Sequence, residues 1–63
     1  MSNLTPLRMA RLQTGKSQWH IAKETGVHQS LISLYERDLK RPSQNHKKIF
    51  ADFYGKRVQE LWK

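Results

Sequence analysis

The chain contains no cysteine, so neither a disulfide nor a thiolate metal site can hold it together. Its 63 residues include two prolines and three glycines. No apolar run approaches the roughly 20 residues of a membrane-spanning helix. The opening Met-Ser-Asn-Leu-Thr-Pro lacks the apolar stretch of a secretory signal peptide. These absences favour a single cytoplasmic domain over residues 1–63, with a modest core.

Acidic residues are also scarce. Five Asp and Glu stand against twelve Lys and Arg, which gives a formal net charge of +7 and a pI near 10.3. The basic residues are spread along the chain rather than gathered in one tail, which favours a folded domain over a disordered basic arm. This charge balance favours a polyanionic partner, and nucleic acid and an anionic membrane surface are both candidates.

Apolar residues recur at helical spacing and show no strand alternation, so we predict an all-α bundle of five helices. Most boundaries carry residues that typically start or stop a helix. The predicted starts are Thr5-Pro6, Ser17, His28 and Ser43, and the predicted stops are Gly15, Thr25-Gly26, Arg37 and Gly55. A short last helix carries Val58, Leu61 and Trp62.

Residues 18–37 are the most informative segment. Gly26 falls between two predicted helices, where the chain must turn with a positive φ. Ala22 is small enough to let the two helices approach closely. Ile32 and Tyr35 return to the inner face, three residues apart, and Leu31 joins them in the predicted core. This spacing predicts a helix-turn-helix, whose second helix is suited to a DNA major groove.

Residues 7–61 resemble the Cro/lambda-repressor-like (Xre) family of helix-turn-helix proteins. The matching residues are Arg11, Ser17-Gln18, Ala22, Gly26-Val27, Ile32, Tyr35-Glu36-Arg37, Arg41-Pro42-Ser43 and Val58-Gln59-Glu60-Leu61. The resemblance implies a phage or prokaryotic regulator of transcription, most simply a repressor. It also implies binding to a palindromic operator in double-stranded DNA as a homodimer, at least on DNA.

The helix over 28–37 should turn a polar face outward, and that face carries the candidate base-reading residues. Gln29 is the first choice, because an amide can donate to and accept from the N6 and N7 edge of adenine. The resemblance supports it, since related repressors carry Gln at the matching position. Ser30 and Ser33 can bond a base edge or a phosphate, with less selectivity.

Two further candidates on this helix each have two interpretations. His28 occupies the N-cap position, where it either contacts DNA or is a poor cap without a partner. Leu34 either touches thymine methyl groups or packs against a neighbouring loop.

Phosphate contacts are predicted beside these positions. The first turn of the second helix offers unpaired backbone N–H groups and a favourable dipole, and the resemblance carries a phosphate-binding role onto Gln18. Ser17 is expected mainly to cap that helix. The basic candidates, whose contacts would weaken with salt, are Lys16, Arg37, Lys40 and Arg41.

Other predictions concern the scaffold. The resemblance places Arg11 against Glu36 as a structural ion pair. Val58, Leu61 and Trp62 form a possible dimer face, with the alternative that Trp62 closes the monomer core. Trp19 is expected on the rim of the core rather than against the DNA backbone.

Other functional classes are disfavoured. No His or carboxylate set has metal-ligand spacing and no nucleophile pairs with a base, so we expect no metal, no cofactor and no enzyme. The turn at Gly26 and the interior apolar positions argue against a membrane-binding peptide. An antitoxin-type or regulatory protein-interaction module, with DNA binding secondary, is the alternative. An apolar patch on the last two helices would favour that alternative.

Overall fold

Five α-helices make up the fold in the computed structural model, which describes residues 4–62. In chain order they are α1 (Pro6–Thr14), α2 (Gln18–Thr25), α3 (Gln29–Glu36), α4 (Gln44–Tyr54) and α5 (Val58–Leu61). No strand occurs in the described range, so the predicted all-α class is confirmed. Part of the segment on which the signal-peptide prediction rests, residues 1–3, lies outside the described residues, as does residue 63.

The helix boundaries follow from local side-chain chemistry. Thr5, Ser17 and Ser43 each accept a hydrogen bond from a backbone N–H in the first turn of the helix that follows. Such bonds satisfy donors that have no partner within the helix. Gly26 ends α2 with a φ of 78°, and Asp38 follows α3 with a φ of 58°, which this residue type tolerates.

The apolar core joins all five helices. Its buried members are Leu7, Ala10, Ile21, Val27, Ile32, Tyr35, Phe50, Ala51 and Leu61. Phe50 has no exposed surface, and its ring centroid lies 6.1 Å from that of Tyr35, 6.4 Å from that of Tyr54 and 6.2 Å from that of Trp62. Leu31, predicted as core, is only partly buried and packs on the edge of this cluster. Between residues 4 and 62, no helix has the length and apolar character needed to cross a membrane.

Tyr54 carries a buried hydroxyl beside this core. Across the described chain its Oη is the one buried side-chain polar atom with no hydrogen-bond partner. Burial and then the negative charge of Glu36 raise the pKa of Tyr54 to about 12, which the positive charge of Arg11 partly opposes. A buried hydroxyl without a partner loses its hydration and gains no compensating bond.

We therefore expect Tyr54→Phe to leave the free energy of unfolding unchanged or to raise it by up to about 1 kcal/mol. Denaturant unfolding measures this. Tyr35→Phe is the matched control, because the Tyr35 hydroxyl lies 2.8 Å from Nδ1 of His46 and its loss should cost about 0.5–1.5 kcal/mol. A clear loss of stability in Tyr54→Phe would show that its hydroxyl has a stabilising partner.

The same substitution should change the response to alkaline pH. Because the pKa of Tyr54 is raised from 10.0 to about 12, the unfolded chain loses this proton first. The stability contributed by the neutral phenol is full below pH 10.0 and is lost as the pH rises towards 12. Tyr54→Phe should therefore lose less stability than the wild type over that interval.

Candidate nucleic-acid interface

The helix-turn-helix consists of α2, a short turn and α3. Gly26 makes the turn in the left-handed region, and its N–H donates to the carbonyl of Ala22 at 2.9 Å. The next residue, Val27, is 3% exposed and anchors the turn in the core. Because Ile21 and Ile32 have no exposed surface, the inner faces of both helices are fixed and their outer faces are presented to solvent.

His28 caps the N-terminus of α3. Its Nδ1 accepts the backbone N–H of Ser30 at 3.1 Å and lies 2.8 Å from the Ser30 hydroxyl oxygen. The interpretation of His28 as a cap without a partner is therefore wrong. Both side chains are exposed at the start of the helix, so the cap does not remove them from the outer surface.

Gln29 follows this cap and belongs to a chain of side-chain hydrogen bonds. Its Nε2 donates to Oε1 of Gln18 at 2.7 Å, and Nε2 of Gln18 donates to Oε1 of Glu36 at 3.0 Å. The other oxygen of Glu36 accepts from Nε of Arg11 at 2.7 Å. We call these four residues, Arg11, Glu36, Gln18 and Gln29, the polar chain.

The charge on Glu36 sets the direction of the whole polar chain. An ionised carboxylate only accepts hydrogen bonds, so Gln18 must turn its NH₂ group to Glu36 and its carbonyl oxygen to Gln29. Gln29 must then donate through one of its amide hydrogens. Its Oε1 and its second N–H stay outside the polar chain, on a side chain that is half-buried and held at the first position of α3.

The ion pair of Arg11 and Glu36, at the end of the polar chain away from Gln29, fixes α3 to α1. Glu36 is 1% exposed, and the side chain of Arg11 is 11% exposed. Arg11 also donates from its guanidinium to the carbonyl of Lys16 at 3.0 Å, and the Thr5 hydroxyl donates to the backbone carbonyl of Glu36 at 2.6 Å. The end of α3 is therefore tied to both ends of α1 by hydrogen bonds.

The predicted phosphate-binding residues differ in how many of their polar groups already bond to other residues of the protein. Both ends of the Gln18 amide are used in the polar chain, so a phosphate here would meet the backbone N–H groups of the first turn of α2. Ser17 accepts the backbone N–H of His20 at 3.1 Å, in the capping role predicted for it. Nζ of Lys16 lies 3.4 Å from Oε1 of Glu24 and 5.6 Å from the centre of the Phe53 ring.

The remaining predicted side chains lie along or just after α3. Arg37 is exposed and its Nε donates to the carbonyl of Ser33 at 3.3 Å. Lys40 and Arg41 are exposed in the loop before α4. Ser33 and Leu34 are half-buried, so they are less prominent on the outer face than Ser30.

The prediction that Leu61 belongs to an exposed dimer face is wrong. This side chain is 2% exposed, because α5 turns it into the apolar core of the domain. Val58 and Trp62 are half-buried, and the Trp62 ring packs against Phe50. Trp62 thus closes the monomer core, and the face that α5 leaves outside is smaller than predicted.

The prediction for Trp19 is also wrong. Trp19 is 69% exposed and lies away from the core rim, at the second position of α2. It lines a cleft that reaches Gln29. Its position next to Gln18 and near Gln29 adds it to the surface around the start of α3.

Within residues 4–62, no group of three or more His, Cys, Asp and Glu side chains is arranged to hold a metal ion. The outer face of the motif instead presents amides, hydroxyls and cations. Groups of these types can bond base edges and phosphates.

A family model described as helix-turn-helix matches residues 7–61. No curated protein and no solved structure gives a significant match. The matched range includes α2, the turn and α3, together with the helices that bury their inner faces. The chain therefore belongs to the helix-turn-helix family of Cro/lambda-repressor-like (Xre) type, whose function is of the DNA-binding, transcription-regulator kind.

Proposed function

We propose that this protein is a sequence-specific regulator of transcription, most simply a repressor, that inserts α3 into the major groove of double-stranded DNA. The polar chain is the observation that supports this most strongly. It holds one amide at the start of α3 in a fixed orientation, with an acceptor and a donor left over. That is the pair of groups needed to recognise adenine.

In this proposal, Oε1 of Gln29 accepts from N6 of an adenine, and its second amide N–H donates to N7. A good bidentate contact of this type discriminates against a wrong base by about 1–3 kcal/mol. His28 and Ser30 flank Gln29 on the exposed start of the helix. In our proposal Ser33 and Leu34, which are half-buried further along α3, contact the next bases. Arg37 lies at the far end of α3, where phosphate is the expected contact.

Phosphate contacts would supply most of the affinity. The net charge of +7 supports this, because neutralising phosphates releases condensed counterions. The first turn of α2 and the basic residues around the motif form this grip in our proposal: Ser17, Gln18, Lys16, Arg37, Lys40 and Arg41. The activity is binding alone, without a cofactor or catalysis, in the cytoplasm where prokaryotic DNA lies.

We further propose that two copies bind a palindromic operator. One short recognition helix reads few base pairs, whereas a pair of them reads two half-sites about 34 Å apart. Val58 and Trp62 are the members of the predicted dimer face that keep part of their surface outside the core. Pairing on DNA suits such a small face, because the two half-sites bring the copies together.

The interaction-module alternative has less support. An apolar patch on the last two helices would favour it. The exposed large apolar side chains among residues 4–62 are Leu4, Met9, Leu12, Trp19 and Leu39. None of them lies on α4 or α5.

Selection from a pool of random duplexes at near-physiological salt tests the proposal. We expect the wild type to enrich a palindrome, and Gln29→Ala to relax the preference at one adenine in each half-site by about 1–3 kcal/mol. Gln13→Ala is the matched control, because Gln13 is an exposed Gln on α1 that lines a separate cleft with Lys56. Its selected sequence should equal that of the wild type.

Two results would contradict the proposal. If nothing is enriched and weak binding disappears on adding salt, the basic charge is a non-specific grip and the main partner is a protein. If a palindrome is enriched but Gln29→Ala selects the same one, the operator is read by other residues of α3.

A further inference from the structure

Trp19 is the most exposed large apolar side chain among the described residues, at 69%. Other aromatic residues of the chain, such as Phe50 and Tyr35, pack in the core. Exposed aromatic surface of this size is typical of a contact site, since tryptophan contributes a large area and one N–H donor to an interface. The position of Trp19 in the fold indicates what covers it.

Trp19 shares a cleft with Gln29, the residue proposed to read bases. The cleft is shallow and open to solvent. Its lining residues come from α2, the turn and the start of α3: Trp19, Ala22, Lys23, Gly26, Val27, His28 and Gln29. Since Trp19 and Gln29 line the same cleft, we expect a duplex that brings a base edge to Gln29 to lie against Trp19 as well.

The charge of the cleft favours DNA over a protein partner. No carboxylate is among the residues that line it, and Lys23 contributes a cation. The first turn of α2, in which Trp19 lies, is also the end of that helix whose dipole attracts an anion. The sugar–phosphate strand at the edge of a major groove supplies apolar sugars and anionic oxygens side by side, as this surface requires.

We propose that Trp19 is a further DNA-binding residue, which packs its ring on a deoxyribose and donates its indole N–H to the adjacent phosphate oxygen. The inference rests on the proposed function, and adds a residue that supplies affinity without sequence preference. An indole has a donor and no acceptor, so it cannot read the two-sided pattern of a base pair. Its contact with the backbone is therefore independent of sequence.

The test compares affinities for the selected operator duplex and for a scrambled duplex of the same length. We expect Trp19→Ala to bind both about tenfold more weakly, which leaves their ratio unchanged. Trp19→Phe keeps a ring but removes the N–H, so its affinity for each duplex should lie between those of the wild type and Trp19→Ala. Met9→Ala is the matched control, because Met9 is also exposed and apolar but lies on α1 and lines a different cleft. It should bind like the wild type.

A second measurement follows Trp19 itself. The chain has two tryptophans, and Trp62→Phe leaves Trp19 as the only one. Adding either duplex to this variant should reduce the quenching of its fluorescence by acrylamide, since the bound strand covers the ring. If Trp62→Phe does not fold, the same titration of the wild type serves, because Trp62 is already partly buried.

The outcomes separate this inference from the proposed function. If Trp19→Ala binds both duplexes as tightly as the wild type, or quenching is unchanged in the complex, the inference is overturned while DNA binding stands. The exposed ring would then serve a protein partner. If the wild type itself binds neither duplex, both the proposed function and this inference fail. If Trp19→Ala loses affinity for the operator only, Trp19 reads sequence and the backbone contact is wrong.

Discussion

Replacing Arg11 by methionine is expected to lower the free energy of unfolding by about 3–5 kcal/mol. The substitution leaves the carboxylate of Glu36, which is 1% exposed, with Gln18 as its remaining side-chain donor. A buried charge without its counter-charge is neither hydrated nor paired. Because the net stability of a domain is roughly 5–15 kcal/mol and short chains fall low in that range, this loss should leave much of the variant unfolded.

Denaturant unfolding followed by circular dichroism measures the effect, and Lys16→Met is the matched control. Lys16 also pairs with a glutamate, but the side chains of Lys16 and Glu24 are 38% and 43% exposed. Water screens that pair, so its loss should cost less than about 1 kcal/mol. Equal costs for the two substitutions would mean that Glu36 finds another compensating group or water once Arg11 is gone.

The double variant Arg11→Met/Glu36→Leu separates the stability of the ion pair from its role in orienting Gln29. With both charges gone, we expect it to recover much of the stability lost in Arg11→Met. Gln18 then has no carboxylate to fix the direction of its amide, so Gln29 is free to turn. We expect the folded double variant to keep its affinity for scrambled DNA and to lose discrimination at the adenine assigned to Gln29. Full discrimination would show that Gln29 needs no orienting group.

The helix boundaries could be predicted from the sequence because their causes are local. Thr5, Ser17 and Ser43 each cap a helix through a backbone N–H three residues further on. The turn at Gly26 likewise depends on one residue's φ. The ion pair of Arg11 and Glu36 joins residues 25 positions apart, and only the family resemblance indicated it.

The errors have different physical origins. Stepping about 100° per residue places Trp19 about 200° from the buried Ile21, so the helical period already put it opposite the core. The exposure of Trp19 could therefore have been predicted from the position of Ile21 alone. No sequence signal distinguishes Leu61 in the core from Leu61 on a dimer face, because an apolar face on a terminal helix suits either environment. The bond between Gln18 and Gln29 depends on two rotamers and on Glu36, which spacing does not fix.

Replacing Phe50 by alanine is expected to lower the free energy of unfolding by about 3–5 kcal/mol. The ring has no exposed surface and packs near the aromatic rings of Tyr35 in α3, Tyr54 in its own helix α4 and Trp62, which follows α5. These rigid rings cannot collapse fully into the space that the deletion leaves. Phe53→Ala is the control in the same helix, since Phe53 is half-buried and should cost clearly less.

The same pair of variants distinguishes loss of the scaffold from loss of the DNA-binding surface. Tyr35 belongs to α3, so the core that Phe50 fills also supports the helix proposed to read bases. In Phe50→Ala, DNA binding should fall only as far as the folded fraction falls, and an osmolyte that restores folding should restore both. Gln29→Ala and Trp19→Ala should instead keep their stability, while Gln29→Ala loses discrimination at its adenine and Trp19→Ala binds DNA about tenfold more weakly. If an osmolyte refolds Phe50→Ala but does not restore DNA binding, the packing of Tyr35 against Phe50 positions α3 in a way that folding alone does not recover.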